Sequence, residues 1–258
     1  MGSNSFDQAA EEYDEVRPGY PINMFDDLIS LTNIPEGGKI IEVGAGTGQA
    51  TLPIARRGFR ITSLEPGSSL RRIAVRNLAP YPKVELLKTS FEDWPLEEHG
   101  YDLVISATAF HWVDPHIGYK KAAAALKEGG SLALFWNRHP KPYTGFFGDV
   151  QRIYRDVTPE WLDPVDKQRD EDWIEEIKAR IEGVGLFDRA LVKTYFWSRV
   201  YSAEAYIKLL STYSDHLGLE EHRRKHLFEG IYTLINEKFG GAVTRPYLTV
   251  LFIARLAV

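Results

Sequence analysis

The stretch IIEVGAGTGQAT, residues 40–51, constrains this chain more than any other. A short apolar run ends in Gly44-Ala45-Gly46-Thr47-Gly48, and a helical pattern follows. Glycines at the end of a strand let the backbone turn tightly and let a ligand approach the main chain closely. The spacing separates two ligand classes. A dinucleotide fingerprint reads G-x-G-x-x-G and places a helix N-terminus under a pyrophosphate. Here the third glycine comes one residue early, Gln49 follows it, and Glu42 stands at the end of the strand. A carboxylate beside the loop repels a diphosphate and suits a cationic ligand.

Around this loop the chain alternates between two periodicities. Residues 39–43, 60–64, 83–88, 101–107 and 131–136 read as strands. Residues 49–57, 68–78 and 114–126 read as helices, with Asp114 as a cap and KEGG (127–130) as a turn. Strand and helix in alternation demand crossover connections, hence a parallel, doubly wound sheet. Upstream, 21–32 has helical spacing. Downstream, 146–183 and 203–238 are helical in pattern, the former anchored by Trp161, Trp173 and Ile177. The β-rich runs 190–200 and 246–257 flank the second of these, which interrupts what is otherwise a hairpin.

A second acid, Glu65 in ITSLEP, ends the strand after the glycine loop, 21 residues past Gly44. A carboxylate at that tip accepts hydrogen bonds from ribose hydroxyls. Composition narrows the partners. The net charge of −5 argues against nucleic acid, which calls for a basic face. Without cysteine there is no disulfide framework, zinc-thiolate site or catalytic thiol, which fits a reducing, cytoplasmic setting. The polar, acidic opening (MGSNSFDQAAEEYDEV) is neither a signal peptide nor a membrane span.

Residues 39–137 resemble the core of the class I S-adenosylmethionine (SAM)-dependent methyltransferases, through E-x-G-x-G-x-G, the second-strand acid and matching later segments. The resemblance implies an α/β, Rossmann-like doubly wound sheet of seven strands, mostly parallel with an antiparallel last strand, plus helical additions. It also implies a single methyltransferase domain over 1–258. Its cofactor core spans about 36–137, an N-terminal lid about 1–34, and helical substrate-cap insertions about 141–185 and 202–240. The implied cofactor is SAM, released as S-adenosylhomocysteine. Its contacts are expected at Glu42, Gly44, Ala45, Gly46, Gly48, Glu65, Pro66, Ser90, Phe91, Glu92, Ala107 and Tyr20. Ser90 stands where many relatives carry an aspartate near the adenine amino group.

The segment A-x-A-F-H-W (107–112) resembles a small-molecule subgroup that includes trans-aconitate methyltransferase-like enzymes, as does FDQAAEEYDEVRPGYP (6–21). In that subgroup the opening segment folds over the cofactor. Tyr13 and Arg17 therefore join Trp112, Trp136 and Arg138 as expected acceptor contacts, with Tyr143 beside them. Arginine suits a carboxylate clamp. His111 is the acid–base candidate, since its ordinary pKa lies near neutrality. No metal is expected: Asp114 and Asn137 lack a third acid, and no D/N-P-P-Y/F motif marks base methylation. The expected partner is a small-molecule methyl acceptor, with the chain a monomer or homodimer. Two other readings stay open. An NAD-type oxidoreductase is disfavoured by Gln49, and a non-catalytic SAM-binding module would keep the fold without turnover.

Overall fold

The computed structural model describes residues 10–139, 144–161 and 169–257. Tyr143 and parts of the expected lid and first insertion lie outside them.

One seven-stranded sheet organises the chain, in the order β3-β2-β1-β4-β5-β7-β6. Strands β1 (Lys39–Val43), β2 (Arg60–Leu64), β3 (Val84–Leu87), β4 (Tyr101–Ala107) and β5 (Leu126–Arg138) run parallel. β7 (Ala242–Arg255) runs antiparallel to both its neighbours, β5 and β6 (Leu191–Ser202). The expected seven-strand sheet with an antiparallel last strand is what forms.

Burial on both faces explains the near-continuous apolar runs in the strands. Along β4, Leu103 and Ile105 face one layer and Val104 the other. Along β5, Ala133 and Phe135 oppose Leu132, Leu134 and Trp136. The first layer is closed by α2 (Ile22–Thr32) through Met24, Phe25 and Leu28, and by α3 (Thr51–Ala55) through Ile54. The second is closed by α5 (Pro115–Ala125) through Ala122 and Ala123, and by α7 (Asp170–Glu182) through Ile177 and Ile181. Asp114 caps α5, its carboxylate accepting from the His116 N–H at 2.8 Å. Two short helices flank the lid and the second strand: α1 (Ala10–Val16) and α4 (Ser68–Leu78).

Three expectations shift. The helix after the glycine loop is shorter than 49–57, because its last turn tightens into i→i−3 bonds (Arg57 N–H to Ile54, Gly58 N–H to Ala55). KEGG is not a turn ahead of a strand that begins at Ser131. Strand β5 already pairs at Leu126 with Tyr101, then resumes at Ser131 with Leu103. The extra residues bulge out, with Gly129 at φ +74°. β7 also starts earlier than 246. Pro246 is accommodated because β5 pairing ends at Leu248, so β7 has a neighbour there on one side only.

A third cluster lies beyond the carboxyl edge of the sheet. Helices α6 (Phe146–Val157), α8 (Ala203–Leu210), α9 (Ser214–Leu217) and α10 (Glu221–Lys238) pack there around Phe146, Tyr206, Leu209, Leu227 and Ile231. The projecting ends of β6 and β7 carry this cap over the glycine loop. Among the described residues, no helix is long and apolar enough to cross a membrane.

Candidate functional site

The glycine loop leaves β1 and is moored to β2, with the Gly44 and Ala45 N–H groups both donating to the Leu64 carbonyl at 3.0 Å. Gly44 has φ +74°, and a Cβ there would stand 2.5 Å from the Ala109 methyl. Glycine is thus required twice over, by torsion and by contact. At Gly46, φ is +60° and a Cβ would point into open space, its nearest neighbour the Tyr13 hydroxyl at 4.0 Å. Gly48 packs on Leu78 instead of facing the cleft.

Two acids support the loop differently. Glu65, at the tip of β2, accepts from the Gly46 N–H (2.7 Å) through one oxygen and from the Gly67 N–H (2.8 Å) through the other. Glu42 does not face the cleft, contrary to expectation. It is fully enclosed beneath the loop, where one oxygen receives the hydroxyls of Thr51 (2.5 Å) and Ser63 (2.8 Å). Its other oxygen has no hydrogen-bond partner among the described residues, and burial pushes its pKa up. It ties α3 to β2.

The cleft above the loop is a cavity of about 90 Å³ lined by Tyr13, Tyr20, Gly44, Ala45, Gly46 and Ala107, with Thr108, Asn137 and Tyr213 among its other walls. Tyr20 shares a hydrogen bond of 2.8 Å with Thr108, which holds a left-handed φ of +54°. Asn137 donates to the Gly19 carbonyl (2.9 Å) and accepts from Thr249 (2.5 Å), joining the N-terminal segment to β5 and β7. Arg17 fastens that segment to the cap: it donates to the Thr212 hydroxyl and carbonyl at 2.8 Å and lies over the rings of Tyr13 and Tyr213. Thr47, in the same wall, has a buried hydroxyl without a partner among the described residues.

The remaining expected positions are arranged less directly. Pro66 is exposed and does not line the cleft. The Ser90 hydroxyl is engaged by Asp93 (2.8 Å) within its own turn, and Glu92 accepts from the Asp114 N–H (3.0 Å), tying that turn to the start of α5. Phe91 is buried and stacks on Trp94 with centroids 6.1 Å apart. Trp136 is a core residue, edge-on to Trp173, and its indole N–H donates to His111 Nδ1 at 3.3 Å. His111 keeps an exposed edge, while partial burial holds its pKa below the usual histidine value. His111, exposed Trp112, Trp136 and Arg138 line neither this cleft nor the cavity beside it. The Arg138 charge is already met by Asp170 at 2.7 Å, with Trp173 beneath the guanidinium.

The adjoining cavity, about 320 Å³, is walled largely by residues of the two segments expected as substrate-cap insertions. Its walls include Tyr154, Trp161, Tyr206, Asp215, His216 and Arg245, and it shares His139 and Tyr213 with the cleft. Three of its wall residues form a hydrogen-bonded chain: Asp215 bonds His216 Nδ1 at 2.7 Å, and His216 Nε2 bonds the Tyr154 hydroxyl at 2.9 Å. Burial holds the Tyr154 hydroxyl well above its usual pKa. The described residues contain no group of three or more metal-binding side chains.

Residues 41–134 match the family model described as a methyltransferase domain. An uncharacterized methyltransferase of Mycobacterium tuberculosis is 32% identical over 135 residues, covering 52% of this chain and 53% of the relative. A methyltransferase-like protein of Schizosaccharomyces pombe is 29% identical over 164 residues, 63% and 57% of the two chains. The chain thus spans about half the length of the curated relatives it matches. Among solved structures, one described as a type II methyltransferase from Anaeromyxobacter dehalogenans is similar at TM-score 0.62 and 21% identity, covering 93% and 96% of the chains. Phosphoethanolamine N-methyltransferase 2 of Haemonchus contortus, in complex with S-adenosylhomocysteine, is similar at TM-score 0.57 and 14% identity, covering 98% and 58%. At these identities the structural likeness speaks to the fold.

Proposed function

We propose that the chain transfers a methyl group from SAM to a small-molecule acceptor. The observation that carries this reading is the pair of adjoining cavities at the carboxyl edge of the sheet, one over the glycine loop and one under the cap. Ligands of open α/β sheets bind at that edge. The first cavity fits the cofactor chemically: Gly46 leaves room where a side chain would intrude, the buried Thr47 hydroxyl in its wall has no partner among the described residues, and Glu65 lies behind the wall on the Gly46 N–H. Glu65 and the backbone of Gly44–Gly46 would hold it. When bound, SAM supplies an electrophilic methyl on a sulfonium.

At about 90 Å³ the cleft is well below the roughly 300 Å³ at which ligand pockets begin. Binding therefore displaces the segment carrying Tyr13 and Tyr20, and its return excludes water from the junction of the cavities. An acceptor in the second cavity lies against Tyr213 and His139, beside the first. Where that acceptor must lose a proton, Tyr154 receives it and passes its own to His216, which Asp215 orients. This assigns proton handling to His216 in place of His111.

The test is calorimetric titration with S-adenosylhomocysteine of the wild type and Glu65→Gln. Glutamine presents an N–H to one of the two loop amides that the carboxylate now satisfies. Wild type should bind in the micromolar range and the variant at least about tenfold more weakly, roughly 1.4 kcal/mol. Absence of binding to folded wild type overturns the cofactor assignment and favours a non-catalytic module.

A further inference from the structure

Arg245 lies on the part of β7 that runs past the end of β5, where Val243, Arg245 and Tyr247 alternate inward. Only 6% of its surface is exposed. A buried guanidinium is ordinarily matched by an acid, because an unpaired buried charge is costly. Among the described residues no carboxylate forms an ion pair with it. Its hydrogen-bond partners are the Tyr206 hydroxyl, at 3.0 Å, and the ring of His139.

These partners leave the cation undersatisfied. Guanidinium carries five N–H donors, and a neutral imidazole has one acceptor nitrogen. Both nitrogens of His139 face the guanidinium, so only one of those contacts is a true N–H···N bond. Burial and the Arg245 charge hold His139 well below its usual pKa, which keeps the ring neutral and unable to act as a counter-ion. The rings of Tyr206, Tyr213 and Tyr247 stand 5.5–5.7 Å from the guanidinium carbon, giving diffuse compensation without a charge. At most two of the five donors have a full acceptor among the described residues.

The undersatisfied cation opens onto the larger cavity. Its remaining walls are mainly flat and aromatic, Tyr154, Trp161, Tyr213 and the imidazole of His216, with Gln151 and Leu210 between them. Asp215 also lines the cavity, but its carboxylate is held by the His216 ring and N–H, and its side chain is 60% exposed at the rim. The wall therefore pairs a planar cationic fork with an aromatic box. The fork matches the two oxygens of a carboxylate, and the box matches a ring.

We propose that this cavity takes an aromatic carboxylic acid, its carboxylate docked on Arg245 and its ring between Trp161, Tyr154 and Tyr213. The inference rests on the reading of the second cavity as the acceptor site, and names the class of acceptor. It moves the carboxylate clamp from Arg138, whose charge Asp170 already meets, to Arg245.

The test is calorimetric titration of the full chain, saturated with S-adenosylhomocysteine, with benzoate, phenylacetate, 3-phenylpropionate and cinnamate. Each is run beside its primary amide, which keeps the shape and removes the charge. At least one acid should bind about tenfold or more tightly than its amide, the difference expected for charge-assisted bonds to a buried arginine. In Arg245→Gln that preference should vanish, while binding of S-adenosylhomocysteine is kept. The acid–amide comparison on wild type needs no variant, so a poorly folded Arg245→Gln leaves the test intact. Acids no tighter than amides, in protein that binds S-adenosylhomocysteine, overturn the inference alone. Failure to bind S-adenosylhomocysteine overturns the methyltransferase reading, and the acceptor assignment with it.

Discussion

The contact between Gly44 and Ala109 gives a prediction whose parts can be separated. Gly44→Ala places a methyl 2.5 Å from the Ala109 Cβ, whereas carbon atoms in contact ordinarily sit about 3.5–4.0 Å apart. The overlap is about 1 Å, and both atoms are fixed directly to backbone, so no side-chain rotation relieves it. Overpacking of this kind costs about 1–3 kcal/mol. The φ of +74° adds roughly 1–2 kcal/mol for a non-glycine residue. The expected loss is about 2–5 kcal/mol, a fall of roughly 0.7–1.7 M in the urea midpoint at a slope of about 3 kcal/mol/M. Gly46→Ala shares the torsional cost but meets nothing closer than the Tyr13 hydroxyl at 4.0 Å, so it should lose only about 1–2 kcal/mol. Removing the opposing methyl isolates the contact. Gly44→Ala combined with Ala109→Gly should recover about 1–3 kcal/mol relative to the sum of the single changes. A coupling within about 0.5 kcal/mol of zero would show that the two residues do not constrain each other, and the explanation for a small residue at 109 would fail.

Two further perturbations probe the same region. Glu42 is buried with one unpartnered oxygen and a pKa raised by burial, so its ionised form weakens the folded state. Its contribution is fully present below the unfolded value near 4.5 and is lost as pH rises through the higher folded value. Glu42→Gln keeps one acceptor for Thr51 and Ser63 without the charge. Its stability relative to wild type should therefore improve from pH 4 to pH 8 in urea titrations, and a difference independent of pH would refute the assignment. Tyr20→Phe removes the bond to Thr108 and leaves that hydroxyl alone in the cleft wall, at a cost of about 0.5–1.5 kcal/mol. Thermal unfolding of the variant beside Thr108→Val should show non-additive losses, and additive ones would mean the hydroxyls act independently.

Much of the frame was legible because its signals are local. The bounds of β1, β2, α4 and β4 coincide with the expected ones, since each is an apolar run or helical pattern closed by glycine, proline or a polar turn. Where the register of a neighbour decides, the sequence is silent. The bulge at 127–130 exists because β5 takes up pairing with Tyr101 before Leu103, which no local pattern of KEGG reveals. Glu42 sits next to the glycine loop in sequence, but the alternation of β1 turns its carboxylate onto Ser63 and Thr51.

The two arginines show where local reading fails and what would have corrected it. Arg138 ends β5 at the loop expected to meet substrate, and position alone made it the clamp. Its partner Asp170 lies 32 residues on, in a helix whose docking only the fold specifies. Arg245 and His139 are 106 residues apart, so their meeting was equally hidden. Yet β7 carried a usable sign. In VTRPYLT the alternation places Val243, Arg245, Tyr247 and Thr249 on one face, and three of those four are residues that a buried face ordinarily tolerates. A cation at an inward position of a strand has to be answered by an anion, a rim of water or a ligand. Here no acid among the described residues answers it and little of its surface is exposed, while a largely aromatic cavity stands beside it. The residue that breaks the pattern of its strand is therefore a stronger pointer to the acceptor than the one that happens to stand nearest the glycine loop.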